Sequence, residues 1–239
     1  MKLRILLLVI FLLTLSVFFW YLYIGGSAKT NQTQMNSQKN EGYITYLPIG
    51  DSYTIGNGVS TEDRWPNVLT KHLNEAGVKV ELVGNPAVSG YTVSDAIRGE
   101  LPTVQNLKPD FVTVLIGAND NFRGTDVKVF ESDLKELLDK LQGMLKNPTN
   151  IVLVTIPDYS KSPAGQGYDG AAISLSLEKY NEVIKSEAKS RGLQVADIFP
   201  VSQTMTGASD YISDGLHPSA QGYAKWEKVI YPVVYEFIK

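Results

Sequence analysis

The sequence predicts a three-layer α/β/α sandwich around a five-stranded parallel sheet. Short β-rich apolar runs alternate with amphipathic stretches along the chain, which is the pattern of repeated βαβ units. Several of the runs, such as FVTVLI and IVLVTI, are apolar almost without a break, as is typical of strands covered on both faces. Right-handed crossovers between such strands favour a doubly wound sheet.

Local patterning predicts each element in turn. The predicted strands are the short apolar runs Tyr43–Ile49, Val78–Val83, Phe111–Ile116, Ile151–Ile156 and Leu193–Ile198. The predicted helices are the amphipathic stretches Trp65–Ala76, Val93–Leu107, Val127–Lys146, Ala171–Arg191 and Ala220–Ile238. Gly77 and Gly192 follow two of these helices, where a left-handed C-terminal cap is expected. Pro66 and Pro218 lie near helix starts, where the missing N–H of proline does little harm.

Residues 1–24 are predicted to be a transmembrane signal-anchor or a signal peptide. Lys2 and Arg4 precede the apolar run 5–24, which as a helix would span about 30 Å, the thickness of the hydrocarbon core of a bilayer. Aromatic residues at the end of the run favour an uncleaved anchor, whereas the small residues at 26–28 would suit a signal peptidase. In both cases we expect the rest of the chain to be extracytoplasmic, either membrane-anchored by this helix or secreted.

Composition bounds the remaining chain. Residues 25–42 are polar and rich in Asn, Gln and Ser, which predicts a flexible linker. Residues 43–239 are then one domain of ordinary size. The chain has no cysteine, which excludes disulfides, thiolate metal sites and a thiol nucleophile. The net charge of −3 argues against a nucleic-acid partner, because such proteins normally present a basic face.

Polar motifs follow the first three predicted strands. GDS, ending at Ser52, follows the first strand, GNPAVSGYT with Gly90 follows the second, and GAND with Asn119 follows the third. In the flavodoxin-like strand order 2-1-3-4-5, the carboxyl ends of these strands meet at the switch point, where ligands bind. The predicted site therefore combines a hydroxyl, a glycine turn and a carboxamide.

A nucleophilic serine needs a base, and the chain has two histidines. His217 follows Asp214 by three residues, a spacing that can bring the carboxylate to Nδ1 and leave Nε2 free to accept a proton. The alternative is that Asp214 is only a turn or capping residue before a helix. His72 is interpreted as a solvated surface residue with nothing nearby to orient it.

The four blocks GDS, the glycine turn, GAND and DGLHP, in this order, resemble those of the SGNH hydrolases, the GDSL-type esterases and lipases. The resemblance implies that Ser52 is the nucleophile, His217 the general base and Asp214 the residue that orients His217. It also implies an oxyanion hole made by the backbone N–H groups of Ser52 and Gly90 and by the Asn119 side chain. The implied domain is residues 43–239, with no cofactor and no metal.

The substrate implied by this resemblance is a small-molecule or lipid ester, such as a lysophospholipid, a short acyl ester or an acetyl ester. Tyr53 stands where the family name has leucine, which would change the shape of the acyl pocket rather than the catalysis. The Gly- and Pro-rich segment Pro157–Gly170 follows the fourth predicted strand on the same side as the site. It is interpreted either as a wall of that pocket or as a surface loop.

Two other functions are compatible with these motifs. A metal-dependent phosphoesterase would draw on Asp51, Asn119, Asp120 and His217, although such sites usually hold several histidines. A membrane-tethered binding module on the same fold would have lost catalysis, against which the intact candidate triad argues. Asp51 is expected to tie down the loop after the first strand and to have no catalytic role.

Overall fold

The computed structural model describes residues 42–239. The predicted leader, residues 1–24, and all but the last residue of the predicted linker lie outside the described residues, so both stay predictions. Within residues 42–239, every helix is too short or too polar to cross a membrane.

The described residues contain a five-stranded parallel sheet in the order β2-β1-β3-β4-β5, which confirms the predicted topology. The strands are β1 (Ile44–Gly50), β2 (Val80–Leu82), β3 (Phe111–Leu115), β4 (Ile151–Val154) and β5 (Gln194–Ala196). The three central strands β1, β3 and β4 are buried along almost their whole length, as their unbroken apolar runs predict.

Helices cover both sides of this sheet and form the outer layers. They are α1 (Ser52–Ile55), α2 (Trp65–Glu75), α3 (Val93–Gly99), α4 (Leu101–Leu107), α5 (Ala118–Phe122), α6 (Val127–Met144), α7 (Gly170–Arg191), α8 (Phe199–Gln203) and α9 (Ala220–Ile238). Helix α2 packs against α9, whereas α6 packs against α3, α4 and α7. The predicted three-layer sandwich is therefore confirmed.

The predicted helix 93–107 is wrong in one respect, because the structure divides it into α3 and α4. Glu100 ends α3 and precedes α4, and Pro102 occupies the first turn of α4. A proline has no N–H to donate and clashes with the preceding turn, so a helix begins at it more readily than it continues through it. The break also leaves the Glu100 side chain fully buried.

Strand β1 ends at a point of close approach between the sheet and α1. A Cβ added at Gly50 would lie 2.3 Å from the carbonyl oxygen of Leu115 on β3 and 2.3 Å from Oγ1 of Thr54 on α1. Glycine is therefore needed for the chain to pass from β1 into α1 between these two neighbours. The approach fixes the position of Ser52, two residues further along.

Replacing Gly50 with alanine should therefore destabilise the domain. We expect Gly50→Ala to lower the free energy of unfolding by about 1–3 kcal/mol, because one contact is with the backbone and the other is with a short, fully buried side chain. The measurement is urea unfolding followed by circular dichroism. Gly143→Ala is the matched control, since nothing lies within 4 Å of a Cβ there and alanine favours the helix. Equal unfolding midpoints for Gly50→Ala and wild type would contradict the steric argument.

Candidate active site

The GDS motif forms a sharp transition from the sheet into a single turn of helix. Asp51 is the N-cap of α1, and its Oδ1 accepts a hydrogen bond from the Tyr53 N–H at 3.0 Å. Ser52 is the first residue of α1 and is 9% exposed. The N–H groups in the first turn of a helix have no acceptor within that helix. The Ser52 hydroxyl and backbone N–H are therefore both presented at the carboxyl edge of β1.

Four of the predicted site residues line one cavity of about 310 Å³: Ser52, Gly90, Asn119 and His217. The motifs that follow β1, β2 and β3 thus meet at one point, as the strand order requires. Among the described residues that line this cavity, none is Asp, Glu, Lys or Arg. The cavity therefore suits an uncharged group better than a charged one.

Asp214 holds His217 through three hydrogen bonds within the DGLH turn. Its Oδ1 accepts from the backbone N–H groups of Leu216 at 2.8 Å and His217 at 3.0 Å. Its Oδ2 lies 2.6 Å from Nδ1 of His217. Because a carboxylate only accepts, this contact places a proton on Nδ1 and leaves Nε2 of the neutral ring as an acceptor. Asp214 is thus both a turn residue and a partner of the imidazole.

The electrostatics of this turn keep Asp214 ionised. Partial burial raises the pKa of its carboxyl, but the hydrogen bonds from the His217 ring and from the Leu216 and His217 N–H groups outweigh burial. The pKa therefore lies below the usual value for aspartate. The His217 side chain is 12% exposed, and its ring lies 5.6 Å from the Tyr53 ring, centroid to centroid.

Gly90 lies in a turn that β2 leads into. The Tyr91 N–H donates to the Val88 carbonyl at 3.2 Å, and Gly90 has φ of 86°, a conformation that side-chain-bearing residues rarely adopt. A Cβ at Gly90 would meet nothing within 4 Å, so the glycine is required by backbone conformation rather than by space. Ser89 and Gly90 of this turn line the same cavity as Ser52.

Asn119 is the second residue of α5, and its amide nitrogen already has two acceptors. Nδ2 lies 3.0 Å from the Tyr91 carbonyl oxygen and 3.2 Å from Oδ2 of Asp51. The amide lines the cavity, but any further acceptor must share or replace one of these bonds. The sequence indicates Asn119 as a donor. It could not show the acceptors, because Asp51 and Tyr91 lie in two other loops.

Three carboxyl groups are buried near the loop that carries Ser52. Burial raises the pKa of Asp51 to about 7, and nearby Asp120 adds to the effect. Burial raises the pKa of Glu100 to about 8, with a contribution from Asp51, and it raises the pKa of Asp120 to about 6. Glu100 Oε2 accepts from the Gly50 N–H at 3.0 Å. The hydrogen bonds of Asp51 match its interpretation as a residue that ties down the loop.

The segment Pro157–Gly170 contributes a wall of the cavity through Tyr159, Ala164, Gly165 and Tyr168. The Ala164 N–H donates to the Gly215 carbonyl at 3.0 Å, which attaches this segment to the turn that carries His217. Of the two interpretations of the segment, the structure supports the pocket wall. Phe122 also lines this wall and was missed from the sequence, although its position just after GAND could have indicated it.

The interpretation of His72 as a residue without an orienting partner is wrong. Its Nδ1 lies 2.8 Å from Oε1 of Glu227, and its ring packs edge-on to Tyr231. Glu227 is 155 residues away along the chain, so neighbouring sequence could not reveal it. The pair joins α2 to α9, and His72 is not among the residues that line the cavity.

Residues 42–239 contain no group of three or more His, Cys, Asp or Glu side chains arranged to hold a metal ion. The metal-dependent alternative would use Asp51, Asn119, Asp120 and His217. Each of these side chains instead forms a hydrogen bond with another group of the protein. That alternative therefore lacks a set of ligands in this part of the chain.

Residues 49–225 match the family model described as the GDSL-like lipase/acylhydrolase family. The chain belongs to this family. The match begins at the end of β1 and extends past the DGLHP motif, so it includes all four sequence blocks. It confirms the resemblance drawn from these blocks and, at the level of the family, the predicted class of hydrolases acting on ester bonds.

Two curated proteins illustrate the similarity. The chain is 30% identical over 225 residues to a multidomain esterase of Ruminococcus flavefaciens, covering 78% of this chain and 28% of that protein. It is 27% identical over 175 residues to an arylesterase of Vibrio mimicus, covering 73% of this chain and 80% of that protein. The chain thus spans less than a third of the first relative and most of the second.

Solved structures share the fold. The psychrotrophic esterase EstA of Pseudoalteromonas sp. superposes with a TM-score of 0.65 at 21% identity, covering 81% of this chain and 98% of its own. A lipase/acylhydrolase of Enterococcus faecalis superposes with a TM-score of 0.65 at 22% identity, covering 82% of this chain and 97% of its own. At this identity the likeness concerns the fold, and it agrees with the strand order described above.

The buried Glu100 predicts a specific pH dependence of stability. Its folded-state pKa of about 8 lies above the value of about 4.3 expected in the unfolded chain. Its stabilising contribution is therefore complete below that lower value and is lost as the pH rises towards 8. In Glu100→Gln, which keeps an acceptor for the Gly50 N–H, we expect the urea midpoint to fall less between about pH 5 and pH 8.5 than in wild type.

The control for this measurement is Glu178→Gln, which replaces an exposed glutamate on α7. It should follow the wild-type pH dependence. Equal slopes of the midpoint against pH in wild type and Glu100→Gln would show that the buried carboxyl does not titrate with folding.

Proposed function

We propose that the chain is an extracytoplasmic serine esterase or lipase that hydrolyses carboxylic esters. One observation carries the proposal: Ser52 and His217 line the same cavity, and Asp214 lies 2.6 Å from Nδ1 of His217. A hydroxyl, an imidazole and an orienting carboxylate are the parts that acyl transfer through a serine requires. Membership of the GDSL-like lipase/acylhydrolase family supports the same chemistry.

In the proposed mechanism, Ser52 Oγ attacks the ester carbonyl while Nε2 of His217 takes its proton. Asp214 stabilises the imidazolium that forms and keeps the ring in the required tautomer. The tetrahedral intermediate collapses when His217 returns the proton to the departing alkoxide, leaving an acyl group on Ser52. Water, deprotonated by His217, then attacks this acyl-enzyme. The second tetrahedral intermediate breaks its bond to Ser52 Oγ, which takes the proton back from His217, and the acid is released.

The negative oxygen of each tetrahedral intermediate would accept hydrogen bonds from the Ser52 and Gly90 N–H groups and from Nδ2 of Asn119. Losing one such donor typically costs about 2.7–4 kcal/mol of transition-state stabilisation. The Asn119 N–H that donates to Asp51 Oδ2, the longer of its two bonds at 3.2 Å, would donate to the new acceptor instead. This exchange keeps its other bond, to the Tyr91 carbonyl, in place.

The cavity supports an uncharged acyl group as the substrate portion bound beside Ser52. Phe122, Tyr159 and Tyr168 form one wall, with Phe122 edge-on to each tyrosine ring. Phe122 is 65% exposed and Tyr168 is 63% exposed, so the outer part of this wall is open to solvent. An acyl chain or aryl group laid along it would remove apolar surface from water. We therefore propose short acyl, acetyl and single-chain lipid esters as substrates.

The extracytoplasmic location rests on the sequence of the leader. Lys2 and Arg4 precede the apolar run 5–24 and would retain the N-terminus in the cytoplasm. We propose membrane attachment through this helix, or secretion if it is cleaved.

The triad is tested by single substitutions assayed with p-nitrophenyl acetate. Ser52→Ala and His217→Ala should each lower kcat by about 10⁴-fold or more, while Asp214→Asn should lower it less because the serine, base and oxyanion donors remain. His72→Gln is the matched histidine control and should keep the wild-type rate, since His72 does not line the cavity. Near-wild-type turnover by Ser52→Ala with an unchanged unfolding transition would refute the nucleophile.

The aromatic wall is tested with p-nitrophenyl esters of increasing acyl length. Phe122→Ala and Tyr168→Ala should lower kcat/KM for the octanoate by about 3–10-fold and affect the acetate little, because only the longer chain covers these rings. Leu175→Ala is the control, because Leu175 is an exposed apolar residue that does not line the cavity. Equal effects on acetate and octanoate would show that the acyl chain lies elsewhere.

A further inference from the structure

Arg123 contacts the turn that carries Gly90. Its Nη2 donates to the Gly90 carbonyl at 2.8 Å, and its Nη1 lies 3.8 Å from Oδ2 of Asp95. The side chain is 55% exposed and does not line the cavity. The guanidinium therefore lies outside the cavity and donates a hydrogen bond to the backbone of Gly90, which lines the cavity.

The turn that contains Gly90 has little packing of its own. Val88 and Ser89 are exposed, and a Cβ at Gly90 would meet nothing within 4 Å. Within the turn, the backbone is closed by the hydrogen bond from the Tyr91 N–H to the Val88 carbonyl. A glycine without packed neighbours has wide conformational freedom, so bonds from outside the turn must fix the direction of its N–H.

Helix α5 supplies two such bonds from positions four residues apart. Asn119 donates to the Tyr91 carbonyl, and Arg123, the C-cap of α5, donates to the Gly90 carbonyl. Residues at this spacing lie on the same face of a helix. Two consecutive carbonyls of the turn are thus held by one face of one helical turn, and a charged donor makes one of the bonds stronger than a neutral donor would.

We infer that Arg123 is a positioning residue for the oxyanion hole, an inference that rests on the proposed function. Arg123 fixes the Gly90 carbonyl, which is separated from the Gly90 N–H by two rotatable bonds. It thereby restricts the direction of that N–H relative to Ser52. It also ties the Gly90 donor to the helix that bears Asn119, so the two donors keep one relative geometry. Arg123 touches neither the substrate nor the reacting atoms.

The test compares Arg123→Ala, Arg123→Lys and the control Arg98→Ala in the full chain. Arg98 also pairs with Asp95, at 2.6 Å, and is similarly exposed, but no hydrogen bond joins it to the turn. Arg123→Ala should lower kcat for p-nitrophenyl acetate by about 10–100-fold, somewhat less than the loss of a whole donor, with KM changed less than about twofold. Arg123→Lys should recover part of kcat, and Arg98→Ala should match wild type.

A boronic acid inhibitor and hydrogen exchange complete the experiment. The Ki of the inhibitor, whose tetrahedral adduct carries the oxyanion, should rise in Arg123→Ala by about the factor lost from kcat. Hydrogen exchange of residues 88–91 should quicken in Arg123→Ala and stay unchanged in Arg98→Ala, whether or not the protein hydrolyses esters. A wild-type protein that hydrolyses no ester would therefore refute the proposed function. The hydrogen-exchange comparison would still test whether Arg123 holds the Gly90 turn.

Three results would overturn the inference. The first is an Arg123→Ala enzyme whose kcat lies within twofold of Arg98→Ala. The second is a rise in KM without a fall in kcat, which would place Arg123 in substrate binding. The third is equal exchange of residues 88–91 in both variants.

Discussion

The candidate site depends on the parallel pairing of β1 with β2 on one side and β3 on the other. In a parallel sheet all strands end at the same edge, so the loops after these three strands must meet there. Ser52, Gly90 and Asn119 come from these three loops and line one cavity. A strand order in which β1 did not lie between β2 and β3 would separate Gly90 or Asn119 from Ser52.

His217 reaches this edge from the far end of the chain, and its position depends on contacts within its own turn and on a contact with the cavity wall. Asp214 fixes the ring from within its own turn. The Ala164 N–H binds the Gly215 carbonyl and attaches that turn to the cavity wall. The imidazole is therefore held by a local carboxylate, and its turn is attached to the segment that forms one wall of the cavity. A change in that wall should therefore also move the imidazole.

The sequence predicts the features of the site that arise from local spacing and from strand order. The three-residue spacing from Asp214 to His217 and the motifs at the strand ends are features of this kind. The sequence could not predict contacts that depend on how segments far apart along the chain pack together. The partner of His72 is 155 residues away, and the acceptors of the Asn119 amide come from two other loops. The break at Glu100 is of another kind, because Pro102 marks it in the sequence although the predicted helix 93–107 runs across it.

The most direct test of the account is reaction of the full chain with a fluorophosphonate, followed by mass spectrometry of its peptides. An activated serine is phosphonylated, whereas an ordinary surface serine is not. We predict one adduct, on Ser52, and a greatly slowed reaction in the His217→Ala variant. A folded wild-type protein that acquires no adduct, or that acquires it on another serine, would contradict the assignment of this cavity as the active site of an esterase.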